Sequence, residues 1–455
     1  MKKINTLAAA VLAAVMASPA AFADGWQPSF DFHGYLRAGV GQSRDNANIQ
    51  WNKTKLGRLG NENDNYAEPV LGANVWQQDD LTFRIETRFV MQSHGGGGNS
   101  GDVPSANTDR GSHGGSEFDV SEIFGSVKGI IPGDKNAVLW AGKRWHARRG
   151  LEIWDQKYSQ IDGEGVGIDD LQLGPGRLTA AWVRQDAYTA ATIHENNIKI
   201  SDEHRYIDTN VYSLFYSGNY WDGGWLEFMS ATYVPNKGQS GTFDRYQKYD
   251  NGTAQRFTIE LGQSWDGGYN NTIFVFGTGA TAGPVQAIES WYDADKDNKS
   301  AKGYALINHG EVRFGSSNFR LAHTIGFTYG DKLDKVQDGE DASGVVDSMK
   351  LFKVAVRPAY QLTQYTKLLA EFGMFTETTK YRDGSKYNEQ GQKYTIAYAI
   401  GNTQAVFSPM EIRFYASYFH AGHGSNGGTR GVSNYDNDAW SSDNYSFGVQ
   451  VNAGW

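Results

Sequence analysis

Tyrosine, arginine and glutamate stand at alternate positions in two short segments near the start of the chain. Tyr35 and Arg37 share one face of the segment from 30 to 40, opposite its apolar residues. Tyr66 and Glu68 share a face of the next such segment, and Ala67 points the other way. These residue types suit sugar recognition, because an aromatic ring stacks on the apolar face of a pyranose while charged groups hydrogen-bond its hydroxyls.

Binding by such residues is modest in strength. Each hydrogen bond to a sugar replaces one to water, so the net gain in free energy is small. Modest binding suits a conduit, because a tightly held solute would not leave it. An alternative interpretation is that the charged residues only hydrate a surface and pair with one another.

The same alternation recurs along the chain in segments of about ten residues, separated by turns or polar loops. A half-buried soluble sandwich also alternates, so each segment alone is weak support for any one fold. Their number, with no linker and no second composition class, favours a single closed sheet. Closure matters because an open sheet edge in lipid leaves backbone groups unpaired. The clearest segments begin at Phe30, Leu81, Phe319, Leu368 and Ile412.

Composition supports an all-β transmembrane antiparallel β-barrel. The 455 residues include 55 Gly, 25 Tyr, 23 Phe and 13 Trp, yet the mean hydropathy is only −0.55. A barrel combines these properties because only every second residue of a strand faces lipid. The absence of cysteine excludes disulfides and thiolate metal sites, and a net charge of −9 argues against a nucleic-acid partner.

Both ends of the chain are informative. Lys2, Lys3, the apolar run from 7 to 16 and the small residues around Ala23 predict a secretory signal peptide over residues 1–23. Residues 24–455 then form one barrel domain. The last residues alternate up to Trp455, which resembles the aromatic-ended terminal strand of outer-membrane barrels. We therefore expect a multi-pass protein of a Gram-negative outer membrane.

Strand number follows from spacing. Membrane strands of about 9–11 residues, joined by short turns on one side and long loops on the other, use roughly 24 residues each. This predicts roughly 18 strands, in the range where an aqueous lumen remains, although the arithmetic does not separate 18 from 16. Polar, Gly-rich stretches predict external loops at 94–116, 331–347 and 421–443.

Enzyme and cofactor motifs do not emerge from the sequence. The chain has no Gly-x-Ser-x-Gly nucleophile elbow and no His-Glu-x-x-His. The stretch from Asp293 to Asn298 begins like a calcium loop but lacks glycine at its sixth position, so a solvated loop is the preferred interpretation. We predict no enzymatic activity, no catalytic residue, no cofactor and no metal.

Several blocks of the mature chain resemble the maltoporins and related carbohydrate porins of enteric outer membranes. The most specific is Trp-Ala-Gly-Lys-Arg at 140–144, and Asp-Phe-His-Gly-Tyr at 31–35 and Arg-Leu-Gly-Asn-Glu at 58–62 support it. The resemblance implies a trimeric 18-stranded barrel in which an infolded loop narrows each channel. It also implies an aromatic slide for sugars along the wall, flanked by ionised hydrogen-bonding residues.

The resemblance carries over to individual positions. Tyr35, Tyr66 and Phe407 match the aromatic slide, and Phe407 stands where the family commonly has Trp. Arg37, Arg58 and Glu68 match the polar track. In the infolded loop, Arg148 and Asp155 match constriction residues.

The chain departs from the family pattern at the constriction and elsewhere. Gly150 stands where an Asp is expected, and Lys157 stands where a Tyr gate is expected. Ser121 replaces a channel Arg, Asn63 occupies a position of the family's loop disulfide, and Gly454 replaces the penultimate aromatic. We interpret these changes as a more basic constriction with more room for bulky sugars, so the natural sugar and its linkage stay open.

The sequence therefore predicts an outer-membrane channel for facilitated diffusion of oligosaccharides. A general diffusion porin without sugar selectivity is the alternative, and saturable block by a sugar would separate the two. The expected partners are oligosaccharides, outer-membrane lipid, lipopolysaccharide and two further copies of the chain. Bacteriophages adsorb to the external loops of many such barrels, and the sequence leaves this open.

Overall fold

A computed structural model provides the architecture of the chain. The residues that it describes form twenty strands, two short α-helices and one 3-10 turn. The predicted signal peptide lies outside the described residues. The structure describes residues 28–44, 51–62, 64–93, 116–195, 198–235, 239–240, 247–248, 252–293, 299–334, 344–408, 410–421 and 443–455.

The first eleven strands occupy the N-terminal half of the chain, with helix α1 (Lys53–Leu56) between β1 and β2. Their bounds are β1 Ser29–Ser43, β2 Asn65–Gln78, β3 Leu81–Ser93, β4 Ser116–Lys128, β5 Val138–Leu151, β6 Gln156–Leu173, β7 Gly176–Glu195, β8 Ile198–Trp221, β9 Gly224–Pro235, β10 Gln239–Ser240 and β11 Gln247–Lys248.

The other nine strands follow, with a 3-10 turn (Gly279–Thr281) and helix α2 (Ala282–Ala287) between β13 and β14. Their bounds are β12 Ala254–Trp265, β13 Gly268–Thr278, β14 Lys302–Arg313, β15 Phe319–Asp331, β16 Val346–Gln361, β17 Thr366–Tyr381, β18 Lys386–Gly401, β19 Met410–Ala421 and β20 Asp443–Gly454. No helix in the described ranges has the length and apolar character to cross a membrane.

Eighteen strands form one closed antiparallel sheet. Each large strand pairs with its neighbour along the chain, and β9 pairs with β12 because β10 and β11 form a separate two-stranded ribbon. The ring closes where β1 pairs with β20, from Tyr35 opposite Gly454 to Ser43 opposite Ser446. The predicted barrel is confirmed, and its strand number is 18 rather than 16.

The two ends of the barrel differ in the length of their connections. Most connections at one end are short, such as the two-residue turns 79–80 and 222–223, and the longest connections lie at the other end. In outer-membrane barrels the short turns face the periplasm, so we call the two ends periplasmic and external. The three predicted external loops lie largely outside the described residues. Residues at the ends of the predicted ranges belong to strands β4, β15, β16, β19 and β20.

Side chains alternate between lumen and lipid as the sequence predicts. On β19, Ile412 and Phe414 are exposed on the outer surface, whereas Arg413 and Tyr415 are buried inside. A one-residue slip in strand register would reverse this pattern for a whole strand. The indole ring of the C-terminal residue, Trp455, also faces outward. It packs against Phe32, which is exposed on the outer surface, with ring centroids 5.4 Å apart.

A lysine in place of a mid-strand, lipid-facing residue tests this assignment. Ile325 lies at the centre of β15 and is exposed on the outer surface. We expect Ile325→Lys to lower the free energy of unfolding in lipid by about 2–4 kcal/mol, since charge is most costly near the bilayer midplane. Denaturant titration of the folded barrel in vesicles measures it.

Tyr365→Lys is the matched control. Tyr365 lies in the periplasmic turn between β16 and β17 and is also exposed. At that depth the same cation costs only about 0–1 kcal/mol. Equal losses in the two variants would mean that Ile325 does not face hydrocarbon.

Candidate channel constriction

A hairpin folds into the barrel and crosses the lumen. The β4–β5 pairing ends at Lys143, and β5 continues inward toward the turn at 152–155. Trp154 at that turn is fully buried against strands on the opposite side of the ring. The Nζ of Lys353 on β16 lies 4.0 Å from its ring centroid. The resemblance to carbohydrate porins implied an infolded loop, and this hairpin is the segment that fills that position.

Glycine on β15 makes this close approach possible. A Cβ at Gly326 would lie 3.0 Å from the Trp154 ring, so a larger residue would push the hairpin away from the wall.

A second inserted segment, residues 51–62, connects β1 with β2 and includes α1. Its backbone is fastened to β16–β18 by two buried lysines. Lys353 donates to the carbonyl of Thr54 at 2.8 Å, and Lys393 donates to those of Gly57 and Leu59 at 2.7 and 2.8 Å. Carbonyls at the end of a helix lack partners within it, and cations suit that end.

Gly57 ends the helix in a conformation that favours glycine, with φ of 96°. A Cβ there would lie 2.4 Å from a carboxylate oxygen of Glu371. That carboxylate accepts from the backbone N–H of Leu59 at 3.1 Å. The segment therefore rests directly on the charged inner wall.

The tip of the hairpin carries Asp155 into a group of cations. Its carboxylate lies 2.9 Å from the Nζ of Lys53 and 3.1 Å from the guanidinium of Arg37. Lys157 and Arg58 are 3.4 and 3.9 Å away. Burial by itself raises the pKa of Asp155, but the four cations outweigh it and hold that pKa well below its usual range.

Glu62 is the second anion of this network. It is fully buried and contacts Arg58 at 2.9 Å, Lys53 at 3.3 Å and Arg37 at 3.6 Å. Burial raises its pKa, yet the three cations together lower it from 4.5 to about 2. The hairpin tip and the α1 segment are thus joined by shared ion pairs, with Asp64 as a further partner of Arg37 at 2.6 Å.

Two tyrosine rings lie beside this network on the wall formed by β1 and β2. The ring centroids of Tyr35 and Tyr66 are 6.3 Å apart. Arg58 donates to the Tyr35 hydroxyl at 2.5 Å, and the Arg37 guanidinium lies 4.7 Å from the Tyr66 centroid. The Tyr66 hydroxyl donates to Glu68, so each tyrosine hydroxyl has a charged partner, and Arg37 lies over one face of the Tyr66 ring.

Glu68 links the wall to the hairpin. Arg148 contacts both of its carboxylate oxygens at 3.2 Å, and Arg88 on β3 contacts one of them at 3.1 Å. Both guanidinium groups also lie over the ring of Trp145, at 4.1 and 5.0 Å from its centroid. Trp145 and Arg88 are additional lumen residues, and Arg88 shares the polar face of the alternating segment that begins at Leu81.

Lys157 lies across Gly150 within the inserted hairpin. A Cβ at Gly150 would be 3.1 Å from the Cδ and 3.3 Å from the Nζ of Lys157. The lysine stem therefore occupies space that a side chain at position 150 would fill.

Phe407 stands apart from the other predicted site residues. It lies on the segment 402–408 at the periplasmic end, which folds inward to Glu311 through the N–H of Val406 at 3.1 Å. The Arg357 guanidinium lies 4.9 Å from its ring centroid. Contacts among the described residues join the other eight predicted residues into one cluster: Tyr35, Arg37, Arg58, Tyr66, Glu68, Arg148, Asp155 and Lys157.

A closed 18-strand barrel with a charged, aromatic-lined lumen narrowed by infolded segments defines a porin. Sequence comparison then specifies the family, because residues 30–455 match the LamB porin family. The chain belongs to this family and is a multi-pass protein of a Gram-negative outer membrane. Its relatives are channels, not enzymes.

Individual relatives agree with this assignment. Maltoporin 1 of Klebsiella pneumoniae is 34% identical over 455 residues, and the alignment covers 99% of each chain. Maltoporin 2 of Yersinia pseudotuberculosis is 35% identical over 461 residues, again with 99% of each chain covered. OccAB2 of Acinetobacter baumannii shares the barrel fold, with a TM-score of 0.50, 11% identity and coverage of 96% and 99%.

Acid should undo the network only at very low pH. Glu62 has a depressed pKa. Its contribution to holding the hairpin tip against the α1 segment is therefore complete above about pH 4.5 and is lost as the pH falls toward 2. We expect steady single-channel conductance from pH 7 to about 5 and rising current noise between about 4 and 2. The current through the Glu62→Gln channel should be noisy already at pH 7. A loss of steady conductance near pH 6 would contradict the account.

Lys353→Met tests whether one buried cation holds both inserted segments. The substitution leaves the Thr54 carbonyl without its donor and removes the cation from the Trp154 ring. We expect docking to weaken by about 1–3 kcal/mol and the single-channel conductance to rise and fluctuate. Lys350→Met, on the outer face beside Tyr329, should conduct like the parent. Unchanged conductance in Lys353→Met would refute this role.

Proposed function

We propose that this porin conducts oligosaccharides by facilitated diffusion. The observation that supports this most is the pair of adjacent rings, Tyr35 and Tyr66, bordered by guanidinium and carboxylate groups. Neighbouring rings offer a sugar two stacking positions in succession, and the charged groups are strong hydrogen-bond partners for its hydroxyls. The names of the relatives, maltoporins, agree with a saccharide solute.

In this proposal Tyr35, Tyr66 and Phe407 form an aromatic slide from the constriction to the periplasmic mouth. Arg37, Arg58 and Glu68 form the polar track beside it. Arg148, Asp155 and Lys157 border the narrowest passage on the hairpin. Because these charged groups are held by ion pairs with one another, they need little rearrangement to meet a sugar, which lowers the entropic cost of binding.

The proposal extends to processing and assembly. Residues 1–23 act as a cleaved signal peptide, and residues 24–455 form the single barrel domain. Three copies assemble in a bilayer of phospholipid and lipopolysaccharide, as carbohydrate porins of this type do.

Sugar block of ion current distinguishes this function from general diffusion. We expect Tyr66→Ala and Tyr35→Ala each to weaken block by maltohexaose about fivefold, since a lost aromatic contact is worth about 1 kcal/mol. Single-channel recordings with maltodextrins, sucrose and a β-glucoside give on-rates and off-rates, and the loss should fall mainly on the off-rate.

Tyr418→Ala provides the matched control, because this tyrosine is exposed on the outer surface. It should leave sugar block unchanged. Tight block by maltotriose alone among the panel would reject the interpretation that the constriction favours bulkier sugars. The absence of block by every sugar in the parent channel would support a general diffusion porin instead.

A further inference from the structure

Carboxylates at the constriction lie behind their cationic partners. The Glu68 side chain is 7% exposed, whereas Arg148, which it binds, is 30% exposed. The same order holds for Glu227 and Arg149, at 8% and 45%. A solute in the lumen therefore meets mainly hydrogen-bond donors that carry positive charge.

Lys157 and Asp155 follow this order, at 30% and 18% exposure. Asp155 also has three other cations within 4.0 Å, at 2.9, 3.1 and 3.9 Å, so its charge is balanced without Lys157. The Lys157 ammonium, on a flexible stem, can turn from Asp155 to a passing anion at little electrostatic cost.

Two carboxylates at the hairpin depart from this pattern. Asp155, at 18% exposure, is more exposed than its other partners, which are Arg37 at 8%, Lys53 at 9% and Arg58 at 8%. Glu152 is 62% exposed and lies 3.8 Å from Arg58. A single exposed acid does not balance the exposed charges of Arg148, Arg149 and Lys157 on the same hairpin.

The wall beneath the inserted segments adds positive charge. Its fully buried groups on β16–β19 comprise five cations and only two carboxylates: Lys353, Arg357, Lys367, Lys393, Arg413, Glu371 and Glu411. Nearer the external end, Lys55 is flanked by Glu377 and Glu389. When these three residues are added to the seven buried ones, basic side chains on this side of the lumen still outnumber acidic ones. Charges behind a low-dielectric wall focus their field into an aqueous cleft, so this side of the lumen attracts anions although the whole chain has a net charge of −9.

We propose that the channel selects anionic saccharides, those that bear a carboxylate or a phosphate, and that Lys157 is a specificity-determining residue for them. The proposal rests on the sugar-channel function above and refines its substrate class. A guanidinium-lined passage offers such a solute charge-assisted hydrogen bonds in addition to stacking on the tyrosine rings.

Reconstituted channels in planar bilayers test this selectivity in two ways. In a KCl gradient, the reversal potential should show a permeability for chloride above that for potassium. In symmetric salt, trigalacturonate should block more tightly than maltotriose, which has the same length and no charge, and glucose 6-phosphate should block more tightly than glucose. The advantage of the charged solutes should shrink as the KCl concentration rises, because salt screens the interaction.

Variants assign the effect to the residue. Lys157→Gln should weaken block by trigalacturonate about threefold more than block by maltotriose, as expected for losing one charge at about 6 Å in an aqueous channel. Lys157→Glu should weaken trigalacturonate further in the same direction. Lys350→Gln, on the outer face, should change neither block nor reversal potential.

The outcomes separate the two proposals. Block by maltotriose without an advantage for trigalacturonate, or a permeability for potassium at or above that for chloride, would overturn anion selection and leave the sugar channel standing. A parent channel that no saccharide blocks would overturn both. Equal losses for charged and neutral sugars in Lys157→Gln would show that Lys157 acts on channel shape and not on solute charge.

Discussion

Backbone pairing in hydrocarbon is the constraint from which the rest of this structure follows. No water is available inside the bilayer to satisfy an unpaired N–H or C=O, so the sheet must close on itself. The closure between β1 and β20 fixes the register of the first strand against the last. Because side chains alternate along each strand, that register places Tyr35 and Arg37 in the lumen and Phe32 against lipid. Closure therefore determines which residues a solute can meet.

Buried ion pairs then shape the lumen that closure creates. Placing charges such as Lys393 and Glu371 out of water is costly, and the cost is offset only when every partner is present. Here Lys393 binds Glu371 at 2.6 Å and two carbonyls of the α1 segment, and Lys353 serves both inserted segments. These buried cations lie behind the wall of the lumen, so the groups that hold the inserted segments also contribute to the attraction of anions proposed above.

Much of this was predictable from sequence, since a period of two along a strand directly reports its two faces. The lumen positions of Tyr35, Arg37, Tyr66 and Glu68 follow from that alternation, and spacing alone came close to the strand number. Inserted segments obey no such period. The contact between Lys353 and Thr54 joins residues 299 positions apart, and nothing local to either residue signals it. Site positions such as Arg148 and Phe407 were predicted only from the family resemblance.

Thiol labelling tests the central assignment of faces most directly, because the parent chain contains no cysteine. Single substitutions Tyr66→Cys and Phe447→Cys would be treated with a charged, water-soluble thiosulfonate while the current through single channels is recorded. The account predicts that Tyr66→Cys reacts, loses conductance stepwise and is protected by a bound oligosaccharide, whereas Phe447→Cys stays unmodified in lipid. Reaction at Phe447→Cys with none at Tyr66→Cys would contradict it.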